Sequence, residues 1–152
     1  MLAVTGRQPA WARAACEEYL ARLPRGFETR LVALKAEPRA GAKPRARLLE
    51  AEAGRIRGAL PRAARLVALD ERGRDLTSAQ FAARLQAWAA GRTPTAFAIG
   101  GPDGLEEALR NEAELQLRLS AFTLPHALAQ VLLCEQLYRA ASLLAGHPYH
   151  RE

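Results

Sequence analysis

The chain has 152 residues, which fits one domain with a single sizeable core and leaves no room for a separate recognition domain beside a catalytic one. Its formal net charge is +6, carried mostly by arginine, and 49% of its residues are hydrophobic. Such a basic balance either attracts a polyanion through its phosphates or serves only solubility. No apolar run approaches the ~20 residues needed to span a bilayer, and Met1-Leu2-Ala3-Val4 is too short for a signal-peptide core, so the expectation is a cytoplasmic protein without membrane contact.

Leu2-Ala3-Val4 reads as a minimal strand ending at Thr5-Gly6. Pro9 then suits the first turn of a helix, where its missing N–H costs little. Trp11, Ala15, Tyr19, Leu20 and Leu23 recur at helical spacing until Pro24-Arg25-Gly26 stops them. Leu31-Val32-Ala33-Leu34 is a second strand. Lys35 to Lys43 has no periodicity and is either a solvated connection or a basic loop that orders on phosphates. Helix returns from Arg45 to Leu60, with Leu48, Leu49, Ala53, Ile56 and Leu60 on one side and Arg47, Glu50, Arg55 and Arg57 on the other. Pro61 ends it. Leu66-Val67-Ala68-Leu69-Asp70 is a continuous apolar run closing on an acid, the pattern of a strand covered on both faces. Glu71-Arg72-Gly73-Arg74-Asp75 is predicted as a turn, after which Thr77-Ser78 caps a helix striped by Phe81, Leu85 and Trp88. Gly91 closes that helix, and Pro94 introduces a strand over Thr95–Ile99.

Strands thus alternate with helices, an α/β layout in which ligands gather outside the carboxyl ends of parallel strands. That rule selects Leu69-Asp70, Gly100-Gly101 and Ser120–Leu124. Gly100-Gly101-Pro102-Asp103-Gly104 allows a ligand close to the backbone, although glycines after a strand also make ordinary turns. It is neither a G-x-G-x-x-G fingerprint nor a P-loop, which disfavours dinucleotide and ATP sites of those kinds. Leu115, Leu117 and Leu119 share one face of a short strand. The following Ser120-Ala121-Phe122-Thr123-Leu124 either wraps an adenine edge with backbone groups or is a plain connection into the helix opened by Pro125.

From His126 to Ala145, Glu135, Gln136, Arg139 and Ser142 fall in one polar stripe, while Leu128, Val131, Leu133, Leu137, Tyr138, Ala141 and Leu144 cover most of the rest. So wide an apolar face predicts burial against more than its own sheet, most simply through self-association. Glu135 and Arg139 form an i,i+4 pair that is either a structural salt bridge or an arginine held ready for a phosphate or base. Gly146-His147-Pro148 stops the helix sharply and aims Tyr149, His150 and Arg151, groups suited to stacking and phosphate contact. Cys16 and Cys134 read as buried small apolar residues rather than a disulfide or a nucleophile. The three histidines, His126, His147 and His150, match no zinc pattern, and no metal is expected.

Four ordered runs, Ile99–Gly104, Leu119–His126, Glu135–Ala140 and His147–Glu152, resemble the bacterial ribosomal RNA large-subunit methyltransferase H family. The resemblance covers essentially the whole chain, including Leu69–Gly73, Pro9-x-Trp11 and Glu18-Tyr19. It implies a single SPOUT-type domain over residues 1–152, a parallel sheet with helices on both faces and a C-terminal trefoil knot. It further implies that a homodimer uses S-adenosylmethionine to methylate N3 of a pseudouridine in 23S rRNA. By resemblance the cofactor lies against Leu69, Gly100, Gly101, Leu119, Ser120, Ala121, Phe122, Thr123 and Leu124. Catalytic roles fall to His126, Arg139, Tyr149, His150 and Arg151, with the tail of one subunit completing the pocket of the other and His126 or His150 as the base. A non-catalytic ribosome-associated RNA-binding dimer is the rival reading, and a transfer-RNA methyltransferase is a third. The sequence departs from the family pattern at Val4-Thr5-Gly6-Arg7, where the first strand begins about three residues late, which either a shortened edge strand or a misassigned start codon would explain.

Overall fold

Continuous apolar runs become parallel strands, because only a strand covered on both faces needs no polar side. The computed structural model describes residues 1–6, 8–39, 43–91, 93–147 and 149. Among them are the strands β1 Leu2–Thr5, β2 Val32–Lys35, β3 Arg65–Asp75, β4 Thr95–Ile99 and β5 Leu115–Arg118. They form one five-stranded sheet in the order β2-β1-β4-β3-β5, with every pairing parallel. Between them run α1 Ala10–Ala21, α2 Arg45–Ala59, α3 Ser78–Ala90, α4 Glu107–Glu112 and α5 His126–Leu144.

Alternation across the pleat splits the core in two. Val67, Phe97 and Ile99 face one cluster with Leu85 and Trp88 of α3 and Leu133 and Leu137 of α5. Leu66, Ala68, Ala96 and Ala98 face the other, against Ala53 and Ile56 of α2 and Leu109 of α4. Helices therefore lie on both faces, as expected. The predicted cap of α3 is present as a full capping box: Gln80 N–H donates to Thr77 Oγ1 at 3.2 Å, and Thr77 N–H donates to Gln80 Oε1 at 2.9 Å. α5 ends in a Schellman motif, with Gly146 at φ +69°, His147 N–H on the Ser142 carbonyl at 2.9 Å and Gly146 N–H on that of Leu143 at 3.2 Å.

Two expectations are corrected, and two features go beyond them. Residues 71–75 are not a free turn, because β3 continues to Asp75 after an irregularity, with Leu69 and Arg74 both registered on Leu117. The cause is Gly73, which is pressed so closely on β5 that a Cβ would stand 2.7 Å from the carbonyl carbons of Gln116 and Leu117. The first strand is no edge: β1 lies between β2 and β4, and the Met1 ammonium donates to the Arg30 carbonyl at 2.7 Å. The short helix α4 was absent from the sequence reading, since six residues are too few to show a period. Finally, α5 draws much of its cover from α1 and α3 of its own chain, and Ser142 of its polar stripe is buried.

Candidate functional site

The carboxyl ends of β3, β4 and β5 open onto one cleft of about 390 Å³. Leu69, Asp70 and Glu71 lie within β3 where its pairing with β4 ends, Ile99 closes β4 and leads into Gly100 and Gly101, and Leu117 and Arg118 close β5 and lead into Leu119 and Ser120. Phe122, Thr123 and Leu124 continue the wall to His126, the first residue of α5. Of the residues expected around a cofactor, all but Ala121 line this cleft; Ala121 is exposed beside it. A smaller cavity of about 300 Å³, lined by Thr29, Pro94 and Thr95 among others, sits at the amino ends of the strands, the side where ligands of parallel sheets do not gather.

The glycine run is a tight turn. Gly104 N–H donates to the Gly101 carbonyl at 2.9 Å across Pro102 and Asp103, and Gly104 takes φ +84°. A Cβ on Gly100 would stand 2.3 Å from the carbonyl carbon and oxygen of Gly104, so the turn folds directly over Gly100. Asp103 fastens it to the loop after β2, accepting from Arg39 Nη2 at 2.8 Å, while its carbonyl accepts from Arg45 Nη2 at 2.8 Å. In the same loop Glu37 is pulled down to a pKa of about 2 by hydrogen bonds from Lys43 and Arg55. Arg39 and Lys43 are thus paired within the chain, which favours neither of the two readings of this loop as solvated or phosphate-bound; residues 40–42 lie outside the described ones. On the opposite wall Phe122 N–H donates to Ser120 Oγ at 2.9 Å, a turn that leaves the Phe122 ring 84% exposed.

Two side chains near this region have a buried polar atom without a hydrogen-bond partner among the described residues. His126 Nε2 is one. Burial lowers the His126 pKa from its ordinary value, with the Glu52 charge pulling the other way. Glu52 is the second: only 2% exposed, it accepts from Glu37 N–H at 2.9 Å through Oε1, while Oε2 has no hydrogen bond and would be 2.8 Å from a Cβ on Gly101. The sequence reading missed Glu52, although its spacing with Leu48 and Ile56 puts it on the apolar face of α2.

The remaining candidates form a second group. Arg139 lies thirteen positions after His126, about 20 Å along α5 at ~1.5 Å per residue. Its Nε donates to Glu135 at 2.7 Å, so the i,i+4 pair is formed, and its guanidinium covers the Tyr149 ring at 4.9 Å. Tyr149 O–H donates to Glu135 at 3.5 Å, and its pKa is pushed up to about 12, first by burial and then by Tyr19. Within one chain, then, Arg139 and Tyr149 are together and His126 is with the cleft. His150 and Arg151 lie outside the described residues. Cys16 and Cys134 are free and buried. No cluster of three or more His, Cys, Asp or Glu suited to a metal occurs among the described residues, and no helix there is long and apolar enough to cross a membrane.

Comparison with known proteins gives this arrangement a family. The family described as "Predicted SPOUT methyltransferase" matches residues 1–150. The ribosomal RNA large subunit methyltransferase H of Verminephrobacter eiseniae is 56% identical over 152 residues, spanning 100% of this chain and 97% of the relative. Those of Methylibium petroleiphilum and Dechloromonas aromatica are 54% and 51% identical over the same 152 residues, each again covered to 97%. The chain, with a parallel α/β sheet whose carboxyl ends surround a glycine-floored cleft, belongs to the SPOUT methyltransferases and, among them, to the ribosomal RNA large subunit methyltransferase H family.

Proposed function

We propose that this chain methylates N3 of a pseudouridine in 23S rRNA with S-adenosylmethionine, acting in the cytoplasm as a homodimer whose C-terminal segment carries the trefoil knot of its family. The observation that carries this reading is the cleft itself. Its volume of about 390 Å³ lies within the roughly 300–1,000 Å³ usual for small-molecule sites. Its walls suit an adenosyl group: Leu69, Leu117, Leu119 and Leu124 give apolar surface, Gly100 and Gly101 bring backbone N–H and C=O groups close, and no charged side chain need be displaced from the segment 119–124.

When bound there, S-adenosylmethionine supplies a methyl group on a positively charged sulfur. The protein's own work is then alignment and proton removal. Backbone on both sides of the cleft holds the methyl donor in one orientation, and alignment alone supplies several kcal/mol of barrier lowering. His126, kept neutral by burial at physiological pH, is able to take the N3 proton as the nitrogen lone pair becomes the nucleophile. The cluster of Arg139 and Tyr149, with His150 and Arg151, holds the uracil carbonyls and adjoining phosphate from the second subunit, the guanidiniums by charge and Tyr149 by stacking.

The test pairs binding with turnover. Titration calorimetry is expected to show one S-adenosylmethionine bound with measurable heat, and mass spectrometry of 23S fragments from a deletion strain is expected to show one methyl group restored by the wild-type gene. Tyr149→Ala is expected to keep binding and to lose at least tenfold in methylation. Absence of binding heat would leave the protein an RNA-binding module without catalysis.

A further inference from the structure

Arg22 has no role in the reading above, yet it stands where α1, α5 and the C-terminal segment meet. Its Nη2 donates to the Tyr138 hydroxyl at 2.9 Å, and its guanidinium carbon lies 4.4 Å from the centre of the Tyr138 ring. The same guanidinium is 5.8 Å from the Tyr149 ring. Tyr138 meets Tyr149 edge-on with centroids 4.7 Å apart, and Tyr19 stands 6.0 Å from Tyr138. With Arg139 over Tyr149 at 4.9 Å, two arginines and an aromatic ring hold one residue of the tail.

These contacts do little for the core. Tyr138 is already 5% exposed through packing on the helices, whereas the Arg22 side chain is 44% exposed and its ion pair with Glu18, at 3.7 Å, joins two solvated groups. Exposed pairs of that kind contribute little stability. What Arg22 does supply is direction. A planar guanidinium that donates to a phenol oxygen while lying over its ring fixes how that ring can turn. Tyr149 packs against that ring, three residues after Gly146 has ended α5. The place of the Tyr149 ring is thereby set in part from α1.

We propose that Arg22 is a positioning residue for methyl transfer, acting through Tyr138 to orient Tyr149 for the cleft of the second subunit. This rests on the reading that the tail of one subunit completes the site of the other. It differs from a packing role in what it affects: kcat on ribosomal substrate, not cofactor affinity.

The experiment uses the intact protein labelled with 3-fluorotyrosine, whose three tyrosine resonances are assigned by single Tyr→Phe exchanges. Arg22→Ala is expected to move the Tyr149 resonance toward the value of an unstructured tyrosine. It is also expected to lower kcat on ribosomes by between roughly tenfold and a hundredfold, with the S-adenosylmethionine dissociation constant and the circular dichroism unchanged. Arg22→Lys keeps a cation over the ring but not the planar donor, and it should fall between the two in both readouts. An unmoved Tyr149 resonance overturns the proposal, as does unchanged kcat or cofactor affinity that weakens in step with kcat. Wild-type protein that transfers no methyl group would instead remove the function on which it rests, and a shifted resonance would then make Arg22 a purely structural contact.

Discussion

The His126 imidazole opens α5 at the cleft wall with its Nε2 out of reach of water, and that placement has a consequence for stability. Its folded-state pKa lies below the ordinary 6.5, because burial disfavours the charged ring. Above pH 6.5 the ring is neutral whether the chain is folded or not, and the stability is fully present. As the pH falls from 6.5 through the depressed folded value, the unfolded chain takes the proton first, so stability is lost. Urea unfolding at pH 7.5 and 5.5 should therefore show a lower midpoint at the acid pH, and His126→Gln should flatten that difference; an unaltered slope would assign it to other groups. Pro125 marked the helix start that places His126, while its candidate role came from the family resemblance. The burial of Glu52 had only its spacing with Leu48 and Ile56 to signal it, and its place beneath Gly101 had no signal at all, since a glutamate among the charges of α2 looks solvated until the turn over Gly100 brings the backbone down on it.

At the scale of elements, period and punctuation carried the reading where elements are long and capped. Thr77 with Gln80, the proline before α1, α2 and α5, and Gly146 after α5 each mark an end that the structure has. Legibility failed where a neighbour in space decides the conformation. Glu71 to Asp75 has turn composition, but β5, more than forty residues later, supplies the ladder that extends β3. The close fit of Gly73 makes this testable. In Gly73→Ala the new methyl would meet backbone at 2.7 Å, and backbone cannot swing aside as a side chain does. The expected cost is about 1–3 kcal/mol, the range for overpacking a tight site, read as a lower urea midpoint. Because residues 69–71 border the cleft, weaker S-adenosylmethionine binding should accompany it; Gly58→Ala, whose Cβ would meet nothing within 4 Å, is the control expected to do neither.

For the whole molecule the separation along α5 is decisive. One chain holds His126 and the glycine turn at one end of this helix, and Arg139 with Tyr149 at the other, about 20 Å away by the ~1.5 Å rise per residue. No side chain among the described residues bridges that span, so one copy as described cannot bring both groups to one methyl group. A two-fold axis across α5 can, because an isologous pairing lays the start of one helix beside the end of its mate. The surface offers apolar residues for such a contact. The Gln8–Gln130 hydrogen bond of 2.8 Å joins the start of α1 to the start of α5, and near it Trp11 and Leu128 are 55% and 42% exposed. Large apolar side chains left in water on neighbouring helices are the usual mark of an interface. Trp11→Glu combined with Leu128→Glu should leave the fold intact, since neither side chain is in the core, and should convert a dimer to a monomer in sedimentation velocity. The monomer should still bind S-adenosylmethionine through its own cleft but lose methyl transfer to ribosomes. Mixing it with a Tyr149→Ala chain should restore nothing. A double variant that stays dimeric would move the interface elsewhere, and a monomer with undiminished turnover would show that one chain completes its site alone.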